Sequence, residues 1–454
     1  MLRSMNPVNG KIIREYAEHS VEETTSIINK CAEAQKKWAK SGFDIRRKLM
    51  KRASEILRSR TGDYALMITQ EMGKPIAQSR AEVLKCARVC DYYAENADAF
   101  LSSEQVTTEA SESYIAYRPL GVVLAVMPWN FPFWQVFRFA APAIMAGNGA
   151  LLKHASNVTG SALMIEDIFK EAGFPAHLFR TLKLPGKKVA QVIENPLVKA
   201  VTLTGSVGAG RAVAAKAGEM LKKTVLELGG SDPYIILNDA DLETAVDICV
   251  KSRLINSGQS CIAAKRFIVV KPLFKDFETL FVKRMQDMVM GDPMSEKTFV
   301  GPQASLSLRD ELHEQVVSSI QKGAKCLLGG TIPDRPGAWY PPTVLTDVKP
   351  GMPAYDEEIF GPVAAIISAN DEADAIRIAN DSVFGLGAAV FTADKARGKR
   401  IAETELQAGC CFVNEMVQSD PRLPFGGIGD SGYGRELSYA GIREFTNIKT
   451  VYVK

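Results

Sequence analysis

Four histidines are few for 454 residues, and they stand far apart, at His19, His154, His177 and His313. A catalytic metal needs clustered ligands, so this scarcity argues against one, and it leaves a cysteine–histidine hydrolase few bases to use. Eight cysteines are present, yet they form neither a paired CxxC pattern nor the framework of a disulfide-stapled domain. Scattered thiols of this kind suit a reducing compartment. An excess of charge is missing too: the net charge is +3, which leaves neither a nucleic-acid footprint nor an attraction to anionic membranes. No apolar run is long enough to span a bilayer, and the opening MLRSMNPVNGKIIREYAE lacks the apolar core of a signal peptide. The expectation is a cytoplasmic enzyme with a small-molecule partner, acting on neither nucleic acid nor membrane.

Hydrophobic residues at 46% and charged residues at 24% give the balance of a soluble globular chain, and its length predicts two or three domains. Cys261 lies in NSGQSCIAAKR, Asn256 to Arg266, after small and polar residues that leave a thiol reachable. A thiolate attacks carbonyl carbon well, although a packing cysteine is the commoner alternative. Glu227, in the run VLELGGS from Val225 to Ser231, is an acid among apolar residues. Desolvation raises such a carboxyl's pKa and makes a base able to activate water near neutral pH. Asn130, in MPWNFP, follows the apolar run Val122 to Val126 and should emerge at a strand end. Its amide could donate to an oxyanion there; an ordinary turn asparagine beside proline is the alternative.

These segments, with EEIFGPV at Glu357 to Val363 and PFGGIGDSGYGRE at Pro424 to Glu436, closely resemble the NAD(P)-dependent aldehyde dehydrogenase superfamily. The resemblance runs from Asn6 to the last residues and is most like the bacterial succinate-semialdehyde dehydrogenases. It implies an α/β fold with a Rossmann-type cofactor domain, an α/β catalytic domain and a small β oligomerisation arm. The division expected is 1–106 and 119–228 for cofactor, 229–430 for catalysis, and 107–118 with 431–454 for the arm and tail.

Local pattern agrees with that outline. Val21 to Ala99 reads as amphipathic helices, with Ile27, Ile28, Cys31 and Trp38 on one face of the first. Glu71-Met-Gly-Lys-Pro75 ends a helix, with its charges expected in solvent. Val122–Met127, Ala150–Leu152 and Val198–Leu203 read as buried strands separated by helices at Phe137–Met145 and Asn157–Ala172, which predicts a parallel, doubly wound sheet. A second series follows: strand Tyr234–Leu237, helix Ala240–Asn256, strand Phe267–Val270. Thr107 to Arg118 and the tail Phe445 to Lys454 alternate as strands with little core of their own, which predicts a homodimer or homotetramer.

The resemblance implies a reaction in which Cys261 forms a thiohemiacetal with the aldehyde, Asn130 and the Cys261 N–H hold its oxyanion, and Glu227 later hydrolyses a thioester. It places Gly205, Ser206 and Gly210 of TGSVGAG near a pyrophosphate, Trp129 in the same channel, Lys153 on the adenine ribose, and Glu358 and Phe360 at the nicotinamide. Ser156 stands where an acid would repel a 2′-phosphate, so NADP is favoured, with NAD also accepted. Arg138 matches a tunnel arginine that pairs with a distal carboxylate, with a structural ion pair as the competing role, and Ser419 and Arg422 lie near the tunnel mouth by analogy. Glu436 matches a second acid near the proton path, an exposed salt bridge being the alternative. Phe139 replaces a common lysine, and Ile255 an arginine found in some relatives. Succinate semialdehyde is the favoured substrate. Glutarate semialdehyde, betaine aldehyde, transfer to coenzyme A and a non-enzymatic role are the alternatives.

Overall fold

Two parallel sheets carry the molecule, and in each the strands are apolar on both faces because helices cover both sides. The computed structural model describes residues 1–454. In the first sheet the spatial order is Gly432–Tyr433, Lys223–Glu227, Val198–Thr204, Val122–Met127, Gly149–His154 and Phe179–Thr181. All neighbours are parallel except Gly432–Tyr433, which runs antiparallel to Leu226 and Glu227. The second sheet has seven strands, ordered Lys325–Leu328, Thr343–Thr346, Val363–Ala369, Arg266–Val270, Pro233–Ile236, Gly387–Phe391 and Cys410–Val413. Only its edge strand Lys325–Leu328 is antiparallel. No helix is long and apolar enough to cross a membrane.

The helix Val21–Trp38 starts at a capping box formed by Ser20 and Glu23, and it buries Ile27, Ile28, Cys31 and Trp38 as its spacing predicts. Gly73 then closes Thr61–Met72 in the left-handed conformation, φ 77°. The charges beside it depart from expectation. Glu71 is fully buried and accepts hydrogen bonds from the Gly160 and Ser161 N–H groups and the Ser161 hydroxyl, 2.7–2.9 Å. Lys74 is also buried and pairs with Glu82. Glu82 in turn accepts the Phe133 and Trp134 N–H groups, 2.8 and 3.0 Å, and so anchors the start of the wholly buried helix Trp134–Met145 that carries Arg138.

A third, small sheet pairs Thr446–Val453 with Glu112–Pro119, and Glu112–Pro119 with Glu104–Gln105, all antiparallel. The chain between Gly432 and Glu444 does not join this arm. It adds two residues to the first sheet and then the helix Ser438–Glu444, which packs on the helices Ile76–Phe100 and Trp134–Met145.

Candidate active site

Cys261 sits on a turn three residues beyond the last of three consecutive residues with positive φ: Asn256 (54°), Ser257 (56°) and Gly258 (76°). Non-glycine residues avoid this conformation, so the turn persists only because its neighbours over-determine it. The Asn256 amide donates to the carbonyls of Asn130 and Gln259, 2.7 and 2.9 Å, and the Ser257 hydroxyl accepts the Gly301 N–H, 2.8 Å. On the far side the Lys265 ammonium donates to the carbonyls of Ser260 and Cys261. The thiol is half-buried, and desolvation pushes its pKa up to about 12. Lys265 and Arg138 pull that value down, while Glu358 and Glu227 push it further up. At rest, then, the sulfur holds its proton.

Glu227 ends its strand with both carboxyl oxygens buried and without a hydrogen-bond partner. Burial raises its pKa well above the ordinary carboxylate value, Glu436 adds to the effect, and Arg138 and Arg435 oppose it. Arg138 and Glu436 themselves form a buried ion pair. This bears on the tunnel-arginine expectation: the guanidinium already has an internal carboxylate, so the substrate need not supply one. Arg138 also stacks over Phe425, 4.8 Å from the ring centre, and makes a long hydrogen bond to Thr204, 3.4 Å. Phe139, in place of a lysine, packs edge-on against Phe445 at 5.7 Å.

Asn130 is buried in the loop after Val122–Met127, with its amide nitrogen 3.1 Å from the Gln259 carbonyl and its side-chain oxygen unpartnered. His154 holds this loop in shape. Its Nε2 donates to the Pro132 carbonyl, 2.8 Å, its Nδ1 accepts the Ala155 N–H, 3.0 Å, and burial lowers its pKa to about 4, so the ring is neutral. Nothing in the sequence marked His154 for that task.

Cys261 opens into a chamber of about 140 Å³ that Arg138, Ile255, Phe425, Ser419 and Lys85 also line. Arg422 is not among the lining residues: its side chain is 77% exposed and paired with Asp420 at 2.7 Å. Lys85 lies on the helix Ile76–Phe100, where a lone lysine carries no sequence signal that separates it from a solvated charge.

Trp129 and Phe360 meet edge to face, 5.8 Å between ring centres. Glu358 accepts the Gly230 N–H, 3.0 Å, and lies 3.5 Å from the Lys265 ammonium. Lys153, at the end of its strand, is buried without an ion-pair partner, and burial lowers its pKa. Ser156 opens the next turn. Ser206 caps the helix Val207–Glu219, its hydroxyl accepting the Ala209 N–H at 3.3 Å. At Gly205 a Cβ would make ordinary contact with Leu203 at 3.6 Å, whereas at Gly210 it would lie 2.5 Å from the Leu228 side chain, which would have to move.

The aldehyde dehydrogenase family profile matches residues 1–451. A probable succinate-semialdehyde dehydrogenase [NADP(+)] of Synechocystis is 47% identical over 452 residues, covering 100% of this chain and 99% of the relative. The succinate semialdehyde dehydrogenase [NAD(P)+] Sad of Escherichia coli is also 47% identical, covering 99% and 97%. The solved structure of a Streptococcus pyogenes succinic semialdehyde dehydrogenase in complex with NADP+ superposes with a TM-score of 0.98 at 36% identity, covering 100% of both chains. A cysteine on a strained turn, a buried acid beside it and a two-sheet frame thus coincide with a match along the whole sequence, and the chain belongs to the aldehyde dehydrogenase family.

Proposed function

We propose that this protein oxidises succinate semialdehyde to succinate, with NADP as the electron acceptor and NAD also accepted. The observation that carries the reading is the chamber, which joins the Cys261 thiol to cationic side chains in a space sized for a small molecule. The names borne by relatives at 47% identity support the same substrate and cofactor.

Lys153, Ser156, Gly205, Ser206, Gly210, Trp129, Glu358 and Phe360 would hold the cofactor. A buried lysine lacking a carboxylate and an exposed helix N-terminus fit an anionic nucleotide. When bound, the nicotinamide supplies the hydride acceptor that turns a thiohemiacetal into a thioester. The remaining steps fall to the chain. Cys261 gives its proton to solvent water and its sulfur adds to the aldehyde carbon, the C–S bond forming as the C=O π pair moves onto the aldehyde oxygen as negative charge. The Asn130 amide and the Cys261 N–H receive that oxyanion; each such donor is worth roughly 2.7–4 kcal/mol of transition-state stabilisation. Glu227 then takes a proton from water, the new C–O bond forms, the C–S bond breaks, and Cys261 leaves as thiolate.

NADPH formation should be measured with succinate semialdehyde, betaine aldehyde and hexanal, with and without coenzyme A, alongside intact-mass detection of an adduct on Cys261. Succinate semialdehyde should lead the panel, coenzyme A should change nothing, and Cys261→Ser should abolish both turnover and adduct. Persistent oxidation by Cys261→Ser would overturn the mechanism.

The quaternary reading is a homodimer or homotetramer. The strand Thr446–Val453 leaves Ile448, Tyr452 and Val453 exposed, an apolar edge that a second copy would cover. Light scattering on the full chain and on a chain ending at Phe445 tests it: the truncated form should be monomeric. Eight unpaired cysteines support a cytoplasmic site of action, which cell fractionation would check.

A further inference from the structure

Each cation near the chamber can be assigned a partner except one. Arg138 is paired with Glu436, Lys265 lies against Glu358 and two carbonyls, and Arg422 is paired with Asp420. The acids nearest Lys85 along its own helix and across from it are also taken: Glu82 by Lys74, Asp420 by Arg422. Lys85 forms no ion pair. Its ammonium donates to the Ser419 hydroxyl, 2.7 Å, and lies 4.1 Å from the centre of the Trp134 ring, while Glu82 and Asp420, each held by another cation, favour its charge without pairing with it. An ammonium in such a place has no ion-pair partner until an anion arrives.

We propose that Lys85 is the specificity-determining residue of this chamber: its Nζ, together with the Ser419 hydroxyl, receives the distal carboxylate of a short ω-carboxy aldehyde whose carbonyl lies at Cys261. The proposal rests on the reading of the chamber as the aldehyde site and moves recognition of the tail from Arg138 to Lys85. Arg138, neutralised by Glu436, then serves the Glu227 side of the site. Burial and the Arg138 charge bring the Lys85 pKa down to about 8, which still leaves the ammonium protonated at pH 7. A bound carboxylate favours the same charged form.

The test compares kcat/KM for succinate semialdehyde with kcat/KM for butanal, a four-carbon aldehyde without the carboxylate, in wild type and Lys85→Met, with thermal melting to establish that the variant is folded. A charge-assisted contact predicts a roughly 10- to 100-fold fall in that ratio, carried mainly by KM for succinate semialdehyde, and Lys85→Arg should restore most of it. Should Lys85→Met not fold, Lys85→Gln replaces it, with the same pattern expected. A wild type that favours succinate semialdehyde, combined with a variant that keeps the full preference, would overturn the assignment of Lys85 and leave the substrate reading standing. A wild type with no preference for succinate semialdehyde over butanal would instead sink the substrate reading, and the Lys85 assignment with it.

Discussion

Arg138 and Glu436 form a buried ion pair beside Glu227, so the charge state of the proposed base depends on a pair made by two distant segments of the chain. Glu436 raises the pKa of Glu227 and Arg138 lowers it. Removing only the acid leaves a buried guanidinium without its partner, at a cost of about 3–5 kcal/mol. Glu436→Gln should therefore unfold at lower urea concentration than wild type. It should also shift the acid limb of the kcat–pH profile to lower pH, because Glu227 loses a repelling neighbour. A merely structural pair would change the unfolding midpoint and leave the profile where it was.

Under the proposed mechanism Glu227 gives up stability for chemistry. Its folded pKa lies well above the ordinary value, so between those two values the folded protein binds a proton that the unfolded chain does not. Stability from this group is therefore greatest at low pH and is lost as pH rises through the raised pKa. Glu227→Gln removes that penalty. Its melting temperature should exceed that of wild type by more at pH 8 than at pH 5, while steady-state turnover falls roughly 100- to 10,000-fold and the thioester accumulates.

Much of this arrangement was legible in the sequence because it is local. Three strands of the first sheet, Val122–Met127, Ala150–Leu152 and Val198–Leu203, were legible within a residue or two at each end, whereas the short strands Phe179–Thr181 and Gly432–Tyr433 were not, and small polar residues before Cys261 marked a reachable thiol. What escaped depends on contacts between remote segments. Glu71 and Lys74 read as solvated helix-end charges, yet Ser161 and Glu82 meet them inside the protein. Which of its two expected roles Arg138 has, substrate contact or internal ion pair, could not be read locally, because its partner Glu436 lies near the other end of the chain. Lys85 is one of three cationic residues on a long helix, with Arg80 and Arg88, and only its opposition to Ser419 and Trp134 distinguishes it.

Cofactor choice should turn on Ser156. With Lys153 buried and unpaired three residues before it, an anionic 2′-phosphate meets no acid there. Ser156→Asp places a carboxylate against that phosphate; two like charges about 4 Å apart repel by about 4 kcal/mol near a protein surface, before screening. KM for NADP should rise at least tenfold and KM for NAD should hold or fall. An unchanged NADP preference would place the ribose elsewhere.

Gly258 offers the most direct test of the turn. Its φ is 76°, and a Cβ added there would lie 2.1 Å from the Gly361 carbonyl oxygen. That carbonyl follows Phe360, so the segment expected at the nicotinamide is seated directly on the turn that presents Cys261. A methyl group at 258 has no space, and the backbone conformation alone costs a non-glycine residue about 1–3 kcal/mol. Gly258→Ala should lower the unfolding midpoint and displace the Cys261 and Phe360 segments relative to each other. A shift of about 1 Å between reacting groups can cost roughly 100-fold in rate, so kcat should fall by that order while labelling of Cys261 by a small alkylating agent continues. If Gly258→Ala retained full kcat, the close seating of these two segments would not be what aligns sulfur and cofactor.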